Sequence, residues 1–236
     1  MSGSINSLYG AVGGNSYATW AINCRLAAYS TPFTLEMYVY PININSGSLF
    51  NVGADDGGSG VGRMQFGIDN VTGKLYYNYA GYPNVLMTSA SVVLNKWNYL
   101  TWVSNGTTMT AYLNGVAGTP FTISSTSTSQ YSVGGDDGGI WFPVGSNDVP
   151  SGATCIEADI TNVRYTNGTA LYNSNFYPPL SPLTALSNTQ FLLLSNTSPT
   201  YLFNSASNNI QYTNQTNLNF SSLSPFNAAS LMWVGI

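Results

Sequence analysis

The chain has 236 residues, of which 44% are hydrophobic but only 6% charged, and it carries a net charge of −4 with no histidine. Globular domains ordinarily contain about 25% charged residues, so solubility here rests on Asn, Ser, Thr and Gly, as in secreted, surface-displayed or lattice-packed proteins. A basic footprint for nucleic acid is missing, and without histidine there is no Ser-His-Asp set, no Cys-His set and no histidine metal site.

The opening stretch MSGSINSLYGAVGG has neither a basic start nor an apolar segment, so no signal peptide is expected. Phe191 to Leu194, the strongly apolar run near the end, is far too short to span a bilayer, so no membrane insertion is expected. Leu8, Tyr9 and Val12 are candidate edge-strand anchors within a Gly-, Ser- and Asn-rich start. The alternation Trp20, Ile22, Cys24, Leu26 predicts a strand over Trp20 to Tyr29, broken by Ser30-Thr31-Pro32. Phe33 to Pro41 alternates cleanly: Phe33, Leu35, Met37 and Val39 share one face, and Thr34, Glu36, Tyr38 and Tyr40 the other. Ser48 to Val52 is a short strand, followed by a Gly-rich turn carrying Asp55-Asp56. Met64 to Ile68 and Lys74 to Tyr79 form a hairpin around a turn from Asn70 to Gly73.

Lys96 to Val116 is a central hairpin: an aromatic and β-branched run from Trp97 to Ser104, then Asn105-Gly106, then Thr107 to Leu113, then Asn114-Gly115. Asn-Gly supplies the two positive-φ positions of a type I′ turn, the strongest short hairpin signal. Met109, Ala111 and Leu113 share one face of the second strand. The first strand is apolar on both faces, with Leu100 and Trp102 opposed to Trp97, Tyr99 and Val103, as expected of a strand covered on both sides.

Beyond it, Ser124 to Tyr131 is a Ser/Thr-rich connection, and Asp136-Asp137 repeats the earlier Asp-Asp-Gly-Gly motif. Ile140-Trp141-Phe142 follows, with Trp141, Tyr82 and Tyr177 expected in loops, and Val144 to Ala153 is an exposed loop with Asn147 and Asp148. Cys155 to Tyr172 and Thr189 to Leu194 supply further strands, and Asn209 to Thr213 and Leu218 to Phe226 add one or two more. Short strands at intervals of roughly eight to twelve residues, with almost no helical periodicity, define an all-β, two-layer sandwich.

Three stretches carry a resemblance. The hairpin ending Tyr112-Leu113-Asn114-Gly115 resembles the central hairpin of laminin G-like domains, and Phe33-Thr34-Leu35-Glu36 resembles the strand after their first turn. Ile160 to Arg164, Gly168 to Tyr172, Asn175 to Pro179 and Thr189 to Leu194 together resemble the closing strand and turn of such modules in phage tail and other viral surface proteins. The resemblance covers about residues 30 to 226 and implies an antiparallel jelly roll of the concanavalin A-like lectin/glucanase superfamily. Residues 1–236 are then read as one domain, with 1–19 and 197–236 as terminal extensions packing on it. It also implies that the first and penultimate strands share a sheet, with Cys24 and Cys155 within about 7 Å of each other at Cα. Whether those two are buried thiols or a disulfide stays open.

Three constellations can carry chemistry. The glucanase branch of the superfamily places carboxylates on one strand face, so Glu157 and Asp159 resemble part of a retaining glycosidase pair, which needs carboxyls about 5–5.5 Å apart. Thr161 and Asn162 stand where a third, acidic residue is expected, and the alternative is a polar strand face or a partner for Arg164. Asp55, Asp56, Asp136 and Asp137 hold four of the nine acids. They are candidate calcium ligands, against ordinary Asp-Gly turn chemistry. With Trp141, Asn147 and Asp148 they form the candidate ligand-binding set, since aromatic faces stack on sugars and Asn or Asp bond hydroxyls. The six Asn-x-Ser/Thr sequons, at Asn70, Asn105, Asn167, Asn196, Asn214 and Asn219, follow from composition. The expected function is a non-catalytic viral or phage surface protein, on the virion surface or otherwise extracellular. Its expected partners are a glycan or neighbouring structural proteins, in a homo-oligomer or particle-bound array. Alternatives are a secreted or cell-surface carbohydrate-binding module, or a glycoside hydrolase.

Overall fold

The computed structural model describes residues 7–10, 17–21, 31–44, 48–54, 64–79, 85–123, 138–143, 157–193, 211–216, 218–221 and 223–226. These contain no helix. The strands are β1 (Ser7–Gly10), β2 (Tyr17–Ala21), β3 (Phe33–Asn43), β4 (Ser48–Ala54), β5 (Met64–Ile68), β6 (Leu75–Tyr79), β7 (Val85–Leu86) and β8 (Asn98–Ser104). They continue with β9 (Thr108–Leu113), β10 (Val116–Ala117), β11 (Phe121–Thr122), β12 (Gly138–Pro143), β13 (Glu157–Asn167), β14 (Thr189–Leu193), β15 (Gln211–Thr216) and β16 (Leu218–Ser221).

They form two antiparallel sheets, so the expected all-β sandwich is what the chain adopts. The nine-stranded sheet runs β10-β9-β8-β3-β13-β1-β16, with β11 added to β9 and β14 to β13. The seven-stranded sheet runs β15-β2-β12-β4-β5-β6-β7. Leu8 and Tyr9 are not on an edge: β1 pairs with β13 on one side and β16 on the other. β2 begins earlier than the Trp20 alternation suggested, and Ile22, Cys24 and Leu26 lie outside the described residues. β15 and β16, one residue apart in the chain, enter different sheets.

Between the sheets lies an aromatic core. Phe66 on β5 meets Phe33, Tyr77 and Trp102, with ring centroids 6.0, 5.6 and 5.7 Å away. Trp102 Nε1 donates to the Tyr76 carbonyl of the opposite sheet at 3.1 Å, which keeps the indole N–H satisfied at 0% exposure. Leu35, Trp102 and Ala111 align across β3, β8 and β9, so the apolar alternation read from the sequence faces this core.

The two Asn-Gly pairs behave differently. At Asn114-Gly115 both φ values are positive (52° and 79°), and Leu113 pairs with Val116, the two-residue I′ geometry. At the tip of β8–β9 only Gly106 is positive (94°), with Asn105 in ordinary backbone, so that turn is not type I′. Asn105 instead acts through its side chain, whose Oδ1 accepts from the N–H of Thr107 (2.9 Å) and of Thr108 (2.8 Å).

The outer face of the nine-stranded sheet is covered by the connection from 168 to 186, which lies across it as a strap. Gly168 N–H donates to Pro32 O (2.7 Å), and Thr34 Oγ1 both donates to Thr169 O (3.0 Å) and accepts from Leu171 N–H (2.9 Å). Phe176 N–H donates to Gly115 O (3.0 Å), Ala117 N–H to Asn175 Oδ1 (2.9 Å), and the Tyr38 hydroxyl to Pro179 O. The rings of Tyr172 and Phe176 stack at 3.7 Å. This covering is why β8 is apolar on both faces: Tyr99 and Val103 pack under the strap as Leu100 and Trp102 pack between the sheets.

Gly115 is the tightest point of the docking. A Cβ there would stand 1.8 Å from the Phe176 carbonyl oxygen, on a residue whose φ already favours glycine. Gly115→Ala is therefore expected to destabilise the fold by about 1–3 kcal/mol or more, and denaturant unfolding should show it; a wild-type midpoint would mean that the strap does not need this approach.

Candidate functional site

Register across the seven-stranded sheet assembles a polar row. Phe66 faces the core, so its neighbour Gln65 falls on the outer face. Asn78 pairs with Gln65, Gln65 with Asn51, Asn51 with Trp141, Trp141 with Thr19, and Thr19 with Asn214. Directly paired residues share a face, so five uncharged polar residues flank one tryptophan along a line. At ordinary strand spacing of about 4.8 Å the row spans roughly 24 Å. Amide and hydroxyl groups both donate and accept, and an indole offers a broad apolar face. Such a row matches the alternating hydroxyl and C–H surfaces of an oligosaccharide. Trp141 is thus on a strand paired on both sides, not in a loop, whereas Tyr177 is in the strap and 93% exposed. Tyr82 lies outside the described residues.

Asp55, Asp56, Asp136, Asp137, Asn147 and Asp148 also lie outside them, as do Cys24 and Cys155. What is described is the approach to the Asp pairs. Ala54, the last residue of β4, pairs with Gly138, the first of β12. Asp55 and Asp137 are each bonded to a member of that couple, a convergence that the sequence alone did not reveal. Among the described residues no three His, Cys, Asp or Glu side chains cluster as a metal site.

Glu157 and Asp159 belong to the other sheet. Asp159 pairs with Tyr40 of β3 and Tyr9 of β1 and is 3% exposed, so its carboxyl faces protein. Glu157 pairs with Asn43 across a register shift. Neither is the partner of Arg164.

That partner is Glu36, which the sequence reading left on a strand face without a role. A bulge between Thr161 and Arg164 inserts one residue into β13 opposite β3, with Asn162 at φ 53°. The insertion reverses the alternation, so that Arg164 rather than Val163 stands opposite Glu36. Arg164 Nη2 and Nε reach Glu36 Oε1 at 2.5 and 2.6 Å, and Nη1 donates to Thr184 O at 2.8 Å. Glu36 Oε2 accepts from the hydroxyl of Tyr172 (2.8 Å) and from that of Tyr99. Asn162 Oδ1, freed by the bulge, accepts from Leu183 N–H in the strap (2.7 Å). The bonds to Thr184, Tyr172 and Leu183 tie strap to sheet, and the rest join β3, β8 and β13. The cluster is sealed, with Glu36 at 0% and Arg164 at 6% exposure, so its role is structural.

Burial and the adjacent Glu36 carboxylate push the phenols of Tyr38, Tyr99 and Tyr172 well above their ordinary range; burial alone does the same for Tyr77. Raised folded-state values mean that the stability these groups contribute is complete below the unfolded value of about 10 and is lost as pH rises towards the folded values.

With this geometry in view, the molecule is an antiparallel two-sheet sandwich with a strap sealing the outer face of one sheet. The family model for the concanavalin A-like lectin/glucanases superfamily, of the laminin G type, matches residues 12–164. The chain belongs to that superfamily. No curated protein matches it. Among solved structures it is similar to a heptameric SAP-like pentraxin from Limulus polyphemus, at 11% identity and TM-score 0.57, covering 96% of this chain and 98% of the other. It is also similar to a putative carbohydrate binding protein from Bacteroides ovatus, at 15% identity and TM-score 0.50, covering 79% of this chain but half (50%) of that one. A Trypanosoma rangeli sialidase in complex with sialic acid matches at 16% identity and TM-score 0.49, over 69% of this chain and 26% of the enzyme.

Two measurements check the sealed cluster. Glu36→Gln leaves Arg164 buried without its counter-charge and is expected to cost about 3–5 kcal/mol, whereas Glu36→Met combined with Arg164→Leu should recover most of that loss. Phenolate absorbance during alkaline titration should show at least four tyrosines that stay silent through pH values near 10 and titrate only as the protein unfolds.

Proposed function

We propose that the protein is a non-catalytic glycan-binding surface module that binds saccharide along the outer face of the seven-stranded sheet. One observation carries this reading: the in-register row of Asn78, Gln65, Asn51, Trp141, Thr19 and Asn214. The row has no charge, so its desolvation costs little, and the opposite face is closed by the strap. The burial of Asp159 supports binding over cleavage, because a glycosidase carboxyl must touch its sugar.

The Asp pairs supply a calcium-assisted site at the strand ends of β4 and β12 in the same sheet. Asp55-Asp56 leaves β4 and Asp136-Asp137 enters β12 beside the same Ala54–Gly138 couple, and Gly-rich carboxylate loops with spare carbonyls suit calcium. Asn147 and Asp148 follow β12 at its other end and complete the candidate set. We place the module, in many copies, on a virion or other extracellular particle; the viral-type closing motif at Ile160 to Arg164 and Gly168 to Tyr172 supports that setting. Weak sites become useful when repeated, since linkage raises avidity by about 10²–10⁴.

A glycan array followed by titration of the best ligand tests the reading. Trp141→Ala should weaken binding about tenfold or more while leaving thermal stability in place, as for a central aromatic anchor. An array without binders, or a Trp141→Ala protein that binds normally, overturns it. For calcium, Asp55→Asn and Asp136→Asn should lower the melting temperature only when calcium is present; equal melting temperatures with calcium and with chelator make these residues plain turn formers.

A further inference from the structure

The end of the sandwich at the β5–β6 turn presents an exposed aliphatic tip. Ile68 hands over to a turn in which Asp69 Oδ1 accepts from Thr72 N–H (2.7 Å), the Thr72 hydroxyl (2.6 Å) and Val71 N–H (3.3 Å). Partial burial acts to raise the Asp69 pKa, but these three bonds together outweigh it and lower it, so the carboxylate is committed to shaping the turn. Shaped this way, the turn holds Val71 out at 85% exposure.

A second loop docks beside it. Val92 N–H donates to Gly73 O (2.9 Å), Ser91 Oγ donates to Thr72 O (2.6 Å), and Asn95 N–H donates to Pro41 O (2.8 Å). Val93 and Leu94 follow directly and are 49% and 43% exposed. Asn98 fixes that loop by accepting from Val93 N–H and donating to the carbonyls of Val93 and Lys96. Three aliphatic side chains are thus held outward by turn chemistry. Lys74 and Lys96, two of the five cations in the protein, flank them, and neither forms an ion pair among the described residues.

The composition of the tip selects its partner. Protein interfaces are enriched in aromatic residues, Met and Arg and depleted in Lys, and Val and Leu are under-represented among their hot spots. The tip has the reverse composition. Short aliphatic side chains on loop ends, with Lys74 and Lys96 near them in the chain, fit the boundary between acyl chains and anionic headgroups, where a lysine stem can lie along apolar surface with its ammonium group in water. We propose that this tip docks on an anionic phospholipid surface, with Val71, Val93 and Leu94 entering the headgroup boundary and Lys74 and Lys96 meeting the phosphates and carboxylates. The contact is peripheral and spans nothing. It lies at the end of β5 opposite the one reached from β4 through Asp55, so it neither uses nor rests on the glycan reading.

Co-sedimentation with vesicles tests the proposal, using phosphatidylcholine alone and phosphatidylcholine mixed with phosphatidylserine. The full chain should pellet with the mixed vesicles, at least tenfold better than with phosphatidylcholine alone, and added salt should weaken the binding. Val71→Asp with Leu94→Asp should abolish pelleting, and Lys74→Glu with Lys96→Glu should reduce it tenfold or more. All four sites lie on the surface of one turn and one loop, and an unchanged melting temperature would show that the variants are folded. Failure of the full chain to pellet with the mixed vesicles overturns the proposal. So does pelleting that survives both aspartates, or a change of oligomeric state in the aspartate variant without loss of vesicle binding, which would give the tip to a protein partner instead.

Discussion

One buried ion pair sets the architecture around it. Glu36 on β3 and Arg164 on β13 face each other under the strap, 2.5 Å apart, and both are buried. Two charges removed from water are costly to the folded state unless their remaining bonding capacity is used. Here it is used: Tyr99 and Tyr172 donate to the carboxylate, and Thr184 O accepts from the guanidinium. Those partners lie on β8 and in the strap, so satisfying the pair requires three parts of the chain to be in place at once. A bulge on β13 is what turns Arg164 toward Glu36, and the same bulge frees Asn162 to hold the strap at Leu183.

This constraint divides the molecule into two surfaces. The nine-stranded sheet is packed on both faces where β3, β8 and β13 lie, against the core on one side and the strap on the other, and Thr34, Glu36, Asn162 and Arg164 spend their hydrogen bonds inside that packing. In the seven-stranded sheet the backbone register aligns positions 78, 65, 51, 141, 19 and 214 across six strands, with Trp141 among them. The tip at Val71 is a third surface, shaped by Asp69 and independent of both.

Much of the fold was legible in the sequence, because period-two alternation and turn chemistry are local signals. Phe33 to Val39 alternates as expected, and Asn114-Gly115 makes the turn its residue types favour. Where local reading failed, a distant partner decided. Asn105-Gly106 has the same residues as Asn114-Gly115 but a longer connection to close, so only the glycine takes positive φ. Trp141 sits among glycines and looked like a loop residue, but pairing with β2 and β4 on both sides makes it part of a strand. Leu8 and Tyr9 looked like edge residues until β16, from the far end of the chain, paired with them. Arg164 was matched in the sequence with the acids of its own strand, Glu157 and Asp159, whereas Glu36, the single acid of its strand, is its partner because the bulge on β13 sets the two opposite each other. The polar row had no local signal, since its members come from six strands and only register aligns them.

The central claim is that ligand is met on the face of the seven-stranded sheet while the strapped face stays closed. Backbone amide chemical shifts recorded during titration with a bound oligosaccharide test it most directly. The account predicts perturbations centred on Asn51, Gln65 and Trp141, with those of Glu36, Tyr99 and Arg164 unchanged. Perturbations centred on the strap from 168 to 186, with the Trp141 row silent, would contradict it.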